Sequence, residues 1–121
     1  MKQCLIVDDS RVIRKVARKI VEQLSFAAEE AEDGPAALEI CRKAMPDAIL
    51  LDCNMSNMSG VEFLRALRRE AGGDQPVVVY CTIEHDVPHL TEVIGAGANE
   101  YLLKPFDRES VQSKFTEVGL M

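Results

Sequence analysis

Two rhythms of apolar residues alternate along the chain. Short, β-rich apolar runs occur at 4–7 (CLIV), 48–51 (AILL), 77–81 (VVVYC) and 100–103 (EYLL), and each predicts a strand. Helical spacing fills the intervals. Ile13, Val16, Ile20 and Leu24 fall on one face of a first helix that Ser10 would cap, and Leu38, Cys41 and Met45 mark a second with Pro35 in its first turn. Val61, Leu64, Leu67 and Ala71 mark a third. Pro88 opens a fourth, because proline is tolerated in a first turn and not later, and Leu90 and Val93 continue it. Val111, Phe115 and Val118 give a fifth that begins at Asp107. The segment FAAEEAE at 26–32 completes the alternation as a strand, and its acidic residues suit a sheet edge. Five strands alternating with five helices predict an α/β fold, with one parallel sheet covered by helices on both faces, since strands apolar on both sides need two layers of cover.

Composition narrows the picture. A chain of 121 residues with 47% hydrophobic content has the size of one domain, 1–121, with no repeat, linker or low-complexity segment left for a second. Fourteen basic residues against 20 acidic ones give a net charge of -6, which disfavours nucleic acid and anionic lipid as partners. No apolar run approaches the roughly 18 residues of a membrane span, and the first run stops at Asp8, too early for a secretory signal, so a cytoplasmic location is expected. The four cysteines, Cys4, Cys41, Cys53 and Cys81, form no C-x-x-C pair and are expected to be reduced, mostly buried thiols. His85 and His89 are expected to be exposed near the start of the fourth helix. RALRRE is expected to be the solvated face of the third, with Arg68 and Arg69 near its C-terminus, where positive charge is favoured.

In a parallel sheet the residues that end the strands gather along one edge. Asp8 and Asp9 follow the first strand, Asp52 the third, Thr82 the fourth and Lys104 the fifth. Each alone has an ordinary explanation: aspartate caps helices, lysine is solvated, threonine ends strands. Together they limit the chemistry. Clustered carboxylates repel one another unless a cation or proton intervenes, and ligands that are all oxygen favour a hard ion such as Mg2+. Lys104 and the metal would offset charge on an incoming phosphoryl group, Thr82 could hydrogen-bond one of its oxygens, and a carboxylate can be the nucleophile. Asp52, single and central in the sheet, is the natural acceptor.

These residues resemble the receiver domain of two-component response regulators, the CheY-like family, over essentially the whole chain. VDDS is similar to the family's acidic pair, LLDCNMSNMSG to its phospho-acceptor loop, CT to its switch hydroxyl and YLLKPF to its lysine-proline motif. The resemblance implies a flavodoxin-like sheet of order 2-1-3-4-5. It implies phosphorylation on Asp52, with Mg2+ held by Asp8, Asp9, Asp52 and the backbone carbonyl of Asn54. Lys104 would pair with the phosphoryl group and precede a cis bond to Pro105, while Thr82 and Tyr101 would be the switch residues. Asn54 and Glu84 would tune dephosphorylation. A histidine kinase or histidine phosphotransfer protein would be the phosphodonor. A downstream protein would read the face made by the fourth helix, fifth strand and fifth helix. The chain is then expected to be a monomeric signalling switch with no output domain, and not a turnover enzyme.

Ser56 stands where the family commonly has proline, which removes a preset backbone angle from the acceptor loop. Cys53 and Cys81 flank the site and are read as small packing residues rather than redox groups. Two other functions share parts of the pattern. An aspartate-nucleophile phosphatase also uses Mg2+ but wants D-x-D and room for a cap, where this chain has DCN. A pseudo-receiver would bind partners without phosphorylation, and retention of every chemical group argues against it.

Overall fold

A computed structural model of the chain describes residues 1–53, 55–83 and 86–121. In chain order the elements are β1 (Gln3–Val7), α1 (Arg11–Gln23), β2 (Ala27–Ala31), α2 (Gly34–Lys43), β3 (Ala48–Asp52), α3 (Gly60–Arg69), β4 (Val77–Thr82), α4 (Val87–Ala96), β5 (Glu100–Leu103) and α5 (Arg108–Glu117). The strands form one sheet of order β2-β1-β3-β4-β5, every pair parallel. This is the doubly wound arrangement expected from the sequence.

Alternation along each strand divides the core in two, because successive side chains leave opposite faces of a sheet. Leu5, Val7, Ile49, Leu51, Val78 and Tyr80 point to one face, where Leu38 and Cys41 of α2, Phe63, Leu64 and Leu67 of α3, and Leu90 and Val93 of α4 cover them. Cys4, Ile6, Leu50, Val79, Cys81 and Leu102 point to the other, under Ala17, Ile20 and Val21 of α1 and Val111 and Phe115 of α5. β3 is buried along its whole length. Its last residue therefore ends in the interior of the sheet edge.

The helix boundaries follow local chemistry. Ser10, Asp33, Asp86 and Asp107 each accept a hydrogen bond from the backbone N–H three residues on, and Ser59 forms a reciprocal capping box with Glu62. Pro35 and Pro88 lie in first turns, where a missing N–H costs nothing.

Three expectations are corrected. The stripe of α1 that meets the sheet is Ala17, Ile20, Val21 and Leu24, whereas Val16 is 47% exposed and Ile13 is half-buried. The small Ala17 lets the helix approach at that face, and a count of branched residues favoured a neighbouring stripe. Ala71 lies exposed beyond the end of α3. Arg68 is not a solvated charge. Its guanidinium donates to the carbonyls of Gly97, Gly73 and Pro76 and to Asn99 Oδ1, joining the end of α3 to the turns on either side of β4 and α4.

β2 forms as the acidic edge strand. Arg14 and Arg18 on α1 pair with Glu30 at 3.1 and 2.7 Å, so one of its carboxylates helps hold the helix over the edge. Among the described residues, no helix is long and apolar enough to cross a membrane.

Candidate functional site

Asp8 immediately follows β1, and it is 4% exposed. Its Oδ1 accepts from the Ser10 N–H at 2.8 Å, its own N–H donates to the Ala31 carbonyl, and Arg14 donates to its carbonyl at 2.7 Å. Backbone and side chain are thus held before any ligand is considered. Asp9 lies exposed beside it. Asp52 ends β3 at 2% exposure and Thr82 ends β4 at 3%. The Lys104 N–H donates to the Thr82 carbonyl at 2.8 Å, which carries the β4–β5 pairing one residue past Leu103 and turns the lysine toward the same edge.

Carboxylate oxygens of Asp8, Asp9 and Asp52 all lie within 4.8 Å of one another. The Lys104 ammonium donates to Asp52 Oδ1 and lies 3.5 Å from Asp8 Oδ2. Burial by itself would lower the Lys104 pKa, but the hydrogen bond and charge of Asp52, with the charge of Asp8, outweigh it and hold the lysine above its ordinary value. The ammonium is therefore charged at neutral pH. One ammonium against three carboxylates leaves a net negative pocket built of oxygen, which fits a hard divalent cation. The Lys104–Pro105 peptide bond is cis.

Tyr101 sits opposite Tyr80 in the β4–β5 register and is half-buried, with the Lys114 ammonium 5.6 Å above its ring. With Val87, Leu90, Thr91, Ile94 and Glu100 it lines a groove between α4 and β5. Asn54 and Glu84, expected to contribute a metal-binding carbonyl and to tune dephosphorylation, lie outside the described residues, as does His85.

The cysteines are free thiols. Cys4, Cys41 and Cys81 are buried, and Cys53 is half-buried against the α2–α4 core. Burial pushes the Cys81 thiol well above its ordinary range and the Cys4 thiol up to about 12, so both are neutral packing groups.

Some residues around the site were missed by the sequence reading. His89 is half-buried rather than exposed, and its Nε2 lies 2.8 Å from the Tyr80 hydroxyl in a hydrogen bond that joins α4 to β4 two residues before Thr82. Gly60 makes room for that tyrosine: a Cβ there would come within 2.8 Å of Tyr80 Cε1. On the opposite side of the acceptor loop, Asn57 Nδ2 donates to Asp33 Oδ2 at 2.9 Å. A glycine after Ser59 and an aspartate before Gly34 are the only marks these contacts leave in the sequence, and neither names its partner.

Fold and edge together define a doubly wound α/β protein with a carboxylate and lysine site at the carboxyl end of its sheet. The sequence model for the response regulator receiver domain matches residues 4–116, and the chain belongs to that family of two-component signal transduction. It is 32% identical to the chemotaxis protein CheY of Halobacterium salinarum over 97% of this chain and 96% of that one. It is 36% identical to the response regulator MprA of Mycobacterium ulcerans over 91% of this chain, and spans about half of that longer protein, 47%. Among solved structures it is similar to the chemotaxis response regulator CheY4 of Vibrio cholerae, with a TM-score of 0.92, 32% identity and 98% of both chains covered. It is also similar to the receiver domain of the sensor histidine kinase PA1611 of Pseudomonas aeruginosa, with a TM-score of 0.88, 26% identity and 98% of both chains covered; that structure has a magnesium ion in its active-site cleft. Receiver domains are signalling switches that typically bind Mg2+.

Proposed function

We propose that this chain is a phospho-accepting switch whose acceptor is Asp52. The observation that carries the proposal is the seating of the Lys104 ammonium on the Asp52 carboxylate inside a cluster of three carboxylates. An Asp52 oxygen attacks the phosphorus of the donor, the bond from phosphorus to the donor's leaving atom breaks, and the leaving group departs with that electron pair, giving an aspartyl-phosphate. Lys104, already charged, stays close to the new phosphoryl oxygens, and the Thr82 hydroxyl at the end of the neighbouring strand hydrogen-bonds one of them. Hydrolysis by water returns Asp52 and inorganic phosphate.

Asp8, Asp9, Asp52 and the carbonyl of Asn54 would hold Mg2+. When bound, the ion supplies positive charge that offsets carboxylate repulsion and the charge developing on the phosphoryl oxygens. Support comes from the all-oxygen donor set within 4.8 Å and from the magnesium ion in the PA1611 receiver domain.

Movement of Thr82 toward the phosphoryl group would open space for Tyr101 and repack α4, β5 and α5, changing what a protein partner meets there. A histidine kinase or histidine phosphotransfer protein is the proposed donor. The chain would work as a monomer in the cytoplasm, passing its signal by protein contact, without conventional enzymatic turnover.

Incubation with Mg2+ and acetyl phosphate tests this function. The expected result is one acid-stable, base-labile phosphoryl group per chain, absent in Asp52→Asn and without added divalent cation. Steady phosphate release with rapid turnover would make the chain a phosphatase, and no phosphorylation at any Mg2+ concentration would make it a phosphorylation-independent binding module.

A further inference from the structure

The acceptor loop between Cys53 and Ser59 lacks the proline that would preset its backbone, because Ser56 stands there exposed. The loop is secured in another way. At its start the Cys53 N–H donates to the Cys81 carbonyl at 3.0 Å, and at its end Ser59 is locked in the capping box of α3. Between these two anchors it is clipped onto the first turn of α2. Asn57 holds a left-handed backbone, φ 71°, which asparagine tolerates better than most residues, and its Nδ2 donates to Asp33 Oδ2 at 2.9 Å. The other oxygen of the same carboxylate, Oδ1, accepts from the Ala36 N–H at 2.9 Å as the cap of α2. Met58 lies over Gly34, where an added Cβ would come within 2.7 Å of the Met58 sulfur and 3.0 Å of its Cβ.

We infer that Asp33 and Asn57 are positioning residues for the acceptor loop: the Asp33 carboxylate, fixed because it also caps α2, holds Asn57, five residues after Asp52. The inference rests on the proposed Mg2+-dependent phosphorylation and adds two residues to it. Neither touches the metal or the phosphoryl group. Their effect is on how much ordering the loop must undergo when the cation binds. An untethered loop is ordered at the moment of binding, and this weakens binding without altering the bound geometry. Affinity for Mg2+ should therefore fall, while the phosphorylation rate at saturating Mg2+ is kept.

Two variants separate the tether from general structure. Asp33→Ser retains a capping oxygen for Ala36 but leaves no second acceptor for Asn57, and Asn57→Gly keeps the left-handed backbone while removing the donor. Calorimetric titration with Mg2+ alone, with no phosphodonor, reads affinity directly. Each variant is expected to raise the Mg2+ dissociation constant about three- to tenfold, the net worth of one ordinary hydrogen bond, because this one is exposed to water. The double variant should be no weaker than the worse single one, because both remove the same contact. The rate of phosphorylation by acetyl phosphate at saturating Mg2+ should change less than about twofold, in keeping with loss of ground-state ordering alone.

Unchanged Mg2+ affinity in both variants overturns the inference, as does full additivity in the double variant or a fall in the saturated rate equal to the fall in affinity. The wild type decides the underlying function separately. If it binds no Mg2+ and accepts no phosphoryl group, both fall; if it does both and the variants match it, only the tether falls.

Discussion

Asp9→Asn tests the electrostatics of the acidic edge, because it removes a charge while leaving the volume almost unchanged. Asp9 is exposed, and its carboxylate has oxygens within 4.8 Å of those of Asp8 and Asp52. At that separation each repulsion costs ~0.9 kcal/mol in a water-like dielectric and ~3.5 kcal/mol at an effective dielectric of 20. Exposure places Asp9 near the lower figure, and the ammonium of Lys104 offsets part of the sum. Relief of about 1 kcal/mol remains, worth about 4 °C in thermal midpoint for a domain of this size. Without divalent cation, Asp9→Asn should therefore melt above the wild type. Mg2+ reverses the order. Binding to the folded state stabilises it by RT ln(1 + [Mg2+]/Kd), which reaches about 1 kcal/mol near four times Kd and ~2.7 kcal/mol at a hundred times Kd. The wild type should overtake the variant near the first concentration, because Asp9→Asn removes one of the charges that would hold the ion. Thermal melts followed by circular dichroism, in chelator and across a Mg2+ titration, give both numbers. A variant no more stable than the wild type in chelator, or one whose midpoint climbs with Mg2+ as steeply as the wild type's, refutes the reasoning.

Arg68→Met should cost about 2–3 kcal/mol, near 10 °C of midpoint, because five hydrogen bonds to three carbonyls and one amide oxygen are lost from a half-buried position where water replaces only some of them; chemical denaturation measures it. Glu30 has its pKa lowered, first by the hydrogen bond from Arg18; burial opposes this, and the hydrogen bond from Arg14 with the charges of both arginines adds to the lowering. A lowered folded-state value means that the unfolded chain binds the extra proton, so this contribution is complete above the ordinary value of 4.5 and disappears as pH falls through the folded-state value. Wild type should accordingly exceed Glu30→Gln in stability at neutral pH, with the difference closing in acid, as read by urea midpoints from pH 7 down to about 3. Tyr101→Ala should leave phosphorylation by acetyl phosphate intact and weaken a partner selective for one phosphorylation state by about tenfold or more, since an aromatic anchor would be missing from the α4–β5 groove; partner affinity unchanged from the wild type in both phosphorylation states would remove Tyr101 from the switch.

The order of strands and helices, the caps at Ser10 and Asp107 and the prolines in first turns were legible because each depends on residues close in the chain. So was the gathering of Asp8, Asp9, Asp52, Thr82 and Lys104 at one edge. Parallel strands place their ends together wherever they lie in the sequence, and the ends of four of them, β1, β3, β4 and β5, are enough to outline a site.

Three-dimensional packing decided what periodicity could not. Several stripes of α1 are apolar enough to face inward, and the fit against the sheet selected the one through Ala17 and Val21 and left Val16 exposed. Arg68 looked like surface charge because its four acceptors belong to Gly73, Pro76, Gly97 and Asn99, none of which a helix pattern connects to it. His89 and Tyr80, like Asn57 and Asp33, are ordinary residues until a sheet and two helices bring them to 2.8 and 2.9 Å. The sequence by itself determined the chemical types that end each strand, since a period of two and a strand boundary are local properties. The tertiary structure alone decided which side chains hold those types in place, because a hydrogen bond between distant segments depends on where the backbone passes and leaves no period behind.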